Sequence, residues 1–127
     1  MPEAPAPQLH MLRPDLADLP PVRPPAGYVV RPGRDGDGEH WTRIITAAFA
    51  AQPGQFDFEK VMRPDPSYLP ERIFFACRGD EPVGTAAAYH RPRFLPDAGM
   101  LHYLGVLPAH AGRGLGRPLV AAALGRM

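Results

Sequence analysis

A chain of 127 residues suits one small domain, and a hydrophobic content of 45% is enough to build its core. The formal net charge of +1 leaves no electrostatic footprint for nucleic acid or for an anionic membrane surface. A single cysteine, Cys77, excludes an intrachain disulfide. With no basic-then-apolar leader and no apolar run near the roughly 20 residues of a membrane span, the expectation is a soluble, cytoplasmic protein.

Eight of the 18 prolines fall within residues 1–25. Each removes a backbone donor and clashes with a preceding helical turn, so residues 1–26 are expected to be an extended, Pro-rich N-terminal arm. The arm is either a mobile leader or a strap laid along the domain through Leu9, Met11, Leu12, Leu16 and Leu19. Met11 is an alternative start. The folded domain then runs over 27–127.

"GYVVRP" (27–32) reads as a short β-branched strand ended by Pro32. In the loop "GRDGDG", Asp35 or Asp37 is placed to cap a helix through its carboxylate. Trp41, Ile44, Ile45, Ala48 and Phe49 recur at helical spacing and predict an amphipathic helix over 38–51, with Trp41 as core anchor. A shorter helix over 56–62 carries Phe58, Val61 and Met62 and stops at the prolines that follow. "RIFFAC" (72–77), the turn "RGDEP" and "VGTAAAYH" (83–90) give a hairpin. The small residues of its second strand imply something packed closely on it. After the connection "RPRFLPDAG", "MLHYLGVL" (100–107) is a further strand, and "LGRPLVAAALGRM" carries an apolar helical stripe. Consecutive strands with short links predict an antiparallel sheet with helices packed on it, an α+β fold.

Between that last strand and helix lies "HAGRGLG" (110–116). A strand, a glycine loop and a helix start can hold phosphate, because free N–H groups of the first turn point outward and the helix dipole favours negative charge. Glycines also admit a ligand close to the backbone, and Arg113 and Arg117 add positive charge. The same glycines equally suit a tight structural turn. A Walker loop is excluded because Arg117 and Pro118 stand where Lys and Ser/Thr are required. The dinucleotide fingerprint fails because position 117 is Arg and the sheet is antiparallel.

"LHYLGVLPAHAGRGLGRPLVAAAL" resembles the signature of the GNAT superfamily of N-acetyltransferases, whose fourth strand ends in a Val-x-Pro-like turn before an Arg/Gln-x-x-Gly-x-Gly/Ala loop. Val106, Pro108, Arg113, Gly114 and Gly116 match it, and the order of elements agrees over residues 26–127. The resemblance implies a GNAT-like mixed sheet and acetyl-CoA as cosubstrate. It places the pyrophosphate on the amides of Gly112, Arg113, Gly114, Leu115, Gly116 and Arg117, and the pantetheine along Leu104, Val106 and Leu107. A strand bulge at Gly105 next to Val106 would free an amide to polarise the thioester carbonyl for attack by an amine acceptor of unknown identity.

Two departures stand out. Ala111 replaces the family's Arg or Gln, and Pro118 restricts where the helix can begin. The family's fifth strand, fourth helix and closing strands are missing after Met127. That implies an incomplete domain, poorly active alone, with an open sheet edge suited to self-association. The alternative is a non-catalytic acetyl-CoA-binding or regulatory module. His102 on the fourth strand is a candidate base, outweighed by a packing role. Tyr68, Tyr89 and Asp97 are weaker candidates for acceptor contacts, Glu71 and Glu81 read as solvated, and Cys77 reads as an inert packed thiol. The five histidines show no metal-ligand spacing.

Overall fold

The computed structural model describes residues 16–90 and 99–126. The arm anchors Leu9, Met11 and Leu12, the acceptor candidate Asp97 and most of the connection before the last strand lie outside the described residues. Leu16 is exposed and Leu19 half-buried.

The elements follow in the expected order. β1 (Tyr28–Pro32) leads to α1 (Gly38–Ala48) and a single-turn α2 (Phe58–Val61). Then come β2 (Ile73–Arg78), β3 (Glu81–His90), β4 (Gly99–Val106) and α3 (Gly116–Arg126). The sheet runs β1-β2-β3-β4, every neighbouring pair antiparallel. The α+β architecture drawn from the sequence is therefore the architecture observed.

Strand alternation sends side chains to two cores on opposite faces of the sheet. Ile73, Phe75 and Cys77 of β2 join Trp41, Ile44, Ile45, Phe58 and Met62 on the α1 and α2 face. Ala76 joins Tyr28, Val83, Ala86, Ala88, Leu115, Leu119 and Ala123 on the α3 face. β3 lies between both, with its residues buried from Pro82 to Tyr89. Its small side chains let both helix layers approach. A methyl group on Gly84 would lie 3.1 Å from Leu119 Cδ1, and one on Gly105 would lie 3.1 Å from Ala48 Cβ and from Ile45 Cδ1.

Two local expectations need correction. Asp37 occupies the position before α1 but makes no side-chain cap. Its carboxylate instead accepts two hydrogen bonds from Arg31, at 2.8 and 2.9 Å, and one from the Arg34 N–H at 2.9 Å. A charged bidentate pair outcompetes a single neutral amide. Helix α1 also ends at Ala48 rather than near 51, because Ala50 turns left-handed at φ +50°. The Ala50 and Ala51 amides then close back on the carbonyls of Ala47 and Thr46. That closure normally has glycine at the left-handed position.

Burial pushes the Asp37 carboxyl up, but the hydrogen bonds from Arg31 and Arg34 outweigh it, so it titrates below its ordinary range. A depressed carboxylate contributes stability that is present above its unfolded pKa and lost as pH falls through the folded one. Asp37→Asn is expected to cost about 1.5–3 kcal/mol at neutral pH. Urea denaturation should show its gap from the wild type narrowing as pH drops below about 4. Ala50→Gly is expected to stabilise by about 1 kcal/mol, because it relieves the left-handed strain, and thermal melting reads this as a higher Tm.

Candidate active site

β4 passes into the glycine loop through a 3-10 turn at Pro108–His110. Pro108 ends the strand, and the His110 and Ala111 amides close the turn on the carbonyls of Leu107 and Pro108. The loop then runs exposed from Ala111 to Gly114 and enters α3 at Gly116. Pro118 falls in the first helical turn, where no intrahelical donor is required.

The three glycines differ in why they are glycine. Gly112 and Gly114 take left-handed backbone at φ +76° and +79°, which a side chain would strain. Gly116 is not left-handed, and a methyl group placed on it would meet nothing within 4 Å. Open space likewise lies over Gly112 and Gly114. Neither backbone conformation nor a close neighbour therefore requires glycine at position 116.

Among the described residues, none accepts a hydrogen bond from the amides of Gly112, Arg113, Gly114, Leu115, Gly116 or Arg117. Arg113 and Arg117 are exposed beside them and, among the described residues, neither pairs with an acid. Amides without a protein acceptor, a helix start and two guanidinium groups lie together in this stretch, donor chemistry of the kind that suits an anion. The loop is held at both ends. Leu115 is 2% exposed in the α3-side core, and His110 Nδ1 lies 2.8 Å from the Tyr28 hydroxyl of β1.

Leu104 is exposed on β4, whereas Val106 and Leu107 are half-buried against the core. The Leu107 amide donates to the Val83 carbonyl at 2.8 Å and is committed to the sheet. The strand irregularity lies upstream of the expected place. Thr85 faces Gly105 and Ala87 faces His102, so Tyr103 and Leu104 together oppose Ala86. Tyr103 carries the bulge at φ +48°. Gly105 is small because α1 presses on it, not because the strand bulges there.

The bulged Tyr103 ring joins Trp41, Phe49 and Phe56 at centroid distances of 5.3, 6.4 and 6.1 Å. His102 packs against Tyr103 and Tyr89. Tyr89 is 2% exposed and donates to Met62 Sδ, so it lies in the core and not on a pocket wall. Tyr68 stacks edge-to-face on Phe58. Burial pushes the Cys77 thiol up against an opposing pull from Arg31, which leaves it a poor nucleophile. Glu81 and Glu71 are exposed and near Arg43 and Arg126. Among the described residues no group of three His, Cys, Asp or Glu side chains can hold a metal ion, and no helix is long and apolar enough to cross a membrane.

The Acetyltransferase (GNAT) family model matches residues 39–127. A mycothiol acetyltransferase of Catenulispora acidiphila is 32% identical over 94% of this chain and 41% of its own length. One from Frankia alni is 35% identical over 86% of this chain and 37% of its own. The chain thus spans about two-fifths of the length of these relatives. A GCN5-related N-acetyltransferase structure from Sphaerobacter thermophilus superposes with a TM-score of 0.63 at 24% identity, covering 86% of this chain and 35% of that one. N-acetylglutamate synthase from Neisseria gonorrhoeae, solved with coenzyme A and N-acetyl-glutamate, gives 0.59 at 18% identity over 80% of this chain and 23% of that one. Strand order, loop and family match agree: the chain belongs to the acetyltransferase (GNAT) family.

Proposed function

We propose that this chain binds acetyl-CoA and belongs to an N-acetyltransferase that moves the acetyl group to an amine. The observation that carries the reading is Gly116, a helix-start glycine with neither left-handed backbone nor a close neighbour to require it. A ligand close to the backbone supplies the missing reason. The pyrophosphate would rest on the amides from Gly112 to Arg117, with Arg113 and Arg117 neutralising its charge. Ala111 brings no polar side chain to the cradle, so the backbone and these two arginines carry it.

The pantetheine would lie along Leu104 and Val106, with the Leu107 side chain as apolar floor, since the Leu107 amide is held by Val83. Acetyl-CoA supplies an activated thioester. The chain's part is to fix that thioester beside the bulge at Tyr103, where the strand ladder is interrupted. The acceptor amine must shed a proton before it attacks, and His102 is the imidazole that β4 places beside the bulge. The relatives' name makes an acceptor of mycothiol chemistry the first to screen. A buried, unreactive thiol fits a reducing cytoplasm. Ala111 favours a second reading, a non-catalytic module that binds the coenzyme, which would show as binding without turnover.

Gly116→Ala separates a ligand cradle from a structural turn. Its methyl group enters open space in the folded chain, so Tm is expected to hold or rise slightly. Titration calorimetry with coenzyme A is expected to show affinity reduced by about tenfold or more, ~1.4 kcal/mol. Unchanged affinity would mean that nothing approaches this backbone.

A further inference from the structure

His110 does more than precede the glycines. Its ring reaches across the sheet to the opposite edge strand, where Nδ1 lies 2.8 Å from the Tyr28 hydroxyl. The two rings meet edge-to-face at 5.8 Å and 89°. Tyr28 is 7% exposed, part of the α3-side core, and paired in register with Arg78. Arg78 donates to the same hydroxyl at 3.4 Å and sets its guanidinium 5.6 Å from the Tyr28 ring centre.

The three side chains form one hydrogen-bonded chain. A guanidinium only donates, so the Tyr28 oxygen accepts from Arg78, and the same hydroxyl shares a hydrogen bond with Nδ1 whose direction follows the His110 tautomer. Beyond His110 the backbone supplies little to hold the loop. After the Ala111 amide, the next intramolecular backbone bond in chain order is donated by Leu119 to Leu115. Two left-handed glycines lie in that interval; the His110 ring ties its start to β1, and the buried Leu115, Pro118 and Leu119 tie its end to the core.

We infer that Tyr28 and His110 are a positioning pair that holds the exposed glycine loop in the conformation seen here before any ligand arrives, with Arg78 orienting the shared hydroxyl. Neither touches the ligand. They act by limiting how far Gly112 and Gly114 wander, so that less ordering remains to be done on binding. The effect on loop order stands independently, and the effect on coenzyme affinity rests on the acetyl-CoA reading above.

The experiment is nitrogen-15 relaxation and coenzyme A titration on the full chain and on Tyr28→Phe, His110→Ala and His110→Asn. Asparagine keeps a side-chain amide, able to accept or donate, near the place of Nδ1. In the wild type, the Gly112 and Gly114 amides are expected near the rigid order parameter of about 0.85. Tyr28→Phe and His110→Ala are expected to bring both glycines toward about 0.6 and to weaken coenzyme A about fivefold. His110→Asn is expected to restore both. Equal order parameters in all four proteins, even with a lower Tm in the variants, would overturn the inference and leave the contact a plain structural staple. Loosened glycines in Tyr28→Phe, together with a wild type that binds no coenzyme A, would support the positioning pair and sink the acetyl-CoA reading instead.

Discussion

The structure depends on how closely helices can approach β3. This strand is buried from Pro82 to Tyr89, and it bears Ala86, Ala87 and Ala88 where most central strands carry bulk. Small side chains on both faces draw α1 onto one side and α3 onto the other, and the alanines of α3 continue the close fit. Close packing of this kind gains dispersion contacts that a looser interface forfeits. It also fixes distances. With Leu119 against Gly84 and Leu115 in the core, the start of α3 cannot drift from the end of β4.

That constraint explains how the glycines divide their tasks. Gly84 and Gly105 are small because a helix sits on them, and an added methyl at either would force neighbours to yield. Gly112 and Gly114 are glycine because the chain turns left-handed between β4 and α3. Gly116 alone in this set has neither a left-handed backbone nor a close neighbour to require it. Sequence position does not separate these roles, since all five are glycines next to apolar residues. The separation comes from what stands opposite each one.

The first strand matters more to the loop than its distance along the chain suggests. Arg31 and Asp37 clamp β1 to the entrance of α1, and Tyr28 at the other end of β1 reaches His110. A strand of five residues thus touches both helix layers. In energetic terms the Arg31–Asp37 pair is half-shielded from water and bidentate, so it contributes more than the exposed pairs Arg43–Glu81 and Arg63–Glu59, which solvent screens.

The sequence by itself determined the element order, the antiparallel sheet, the α1 stripe through Trp41, Ile44 and Ile45, and the family that Val106, Pro108, Gly114 and Gly116 announce. Those are local signals: side-chain period, prolines that end strands, and a motif contained in one stretch of chain. Tertiary structure alone decided the rest, because each missing item is a relation between distant residues. Asp37 forgoes its cap for Arg31, which only folding brings within reach. The bulge sits at Tyr103 because the registers on either side of Ala86 disagree, a property of two strands together. His110 looked like one more histidine without a ligand partner until the sheet, four strands wide, carried Tyr28 to its ring across 82 residues of chain.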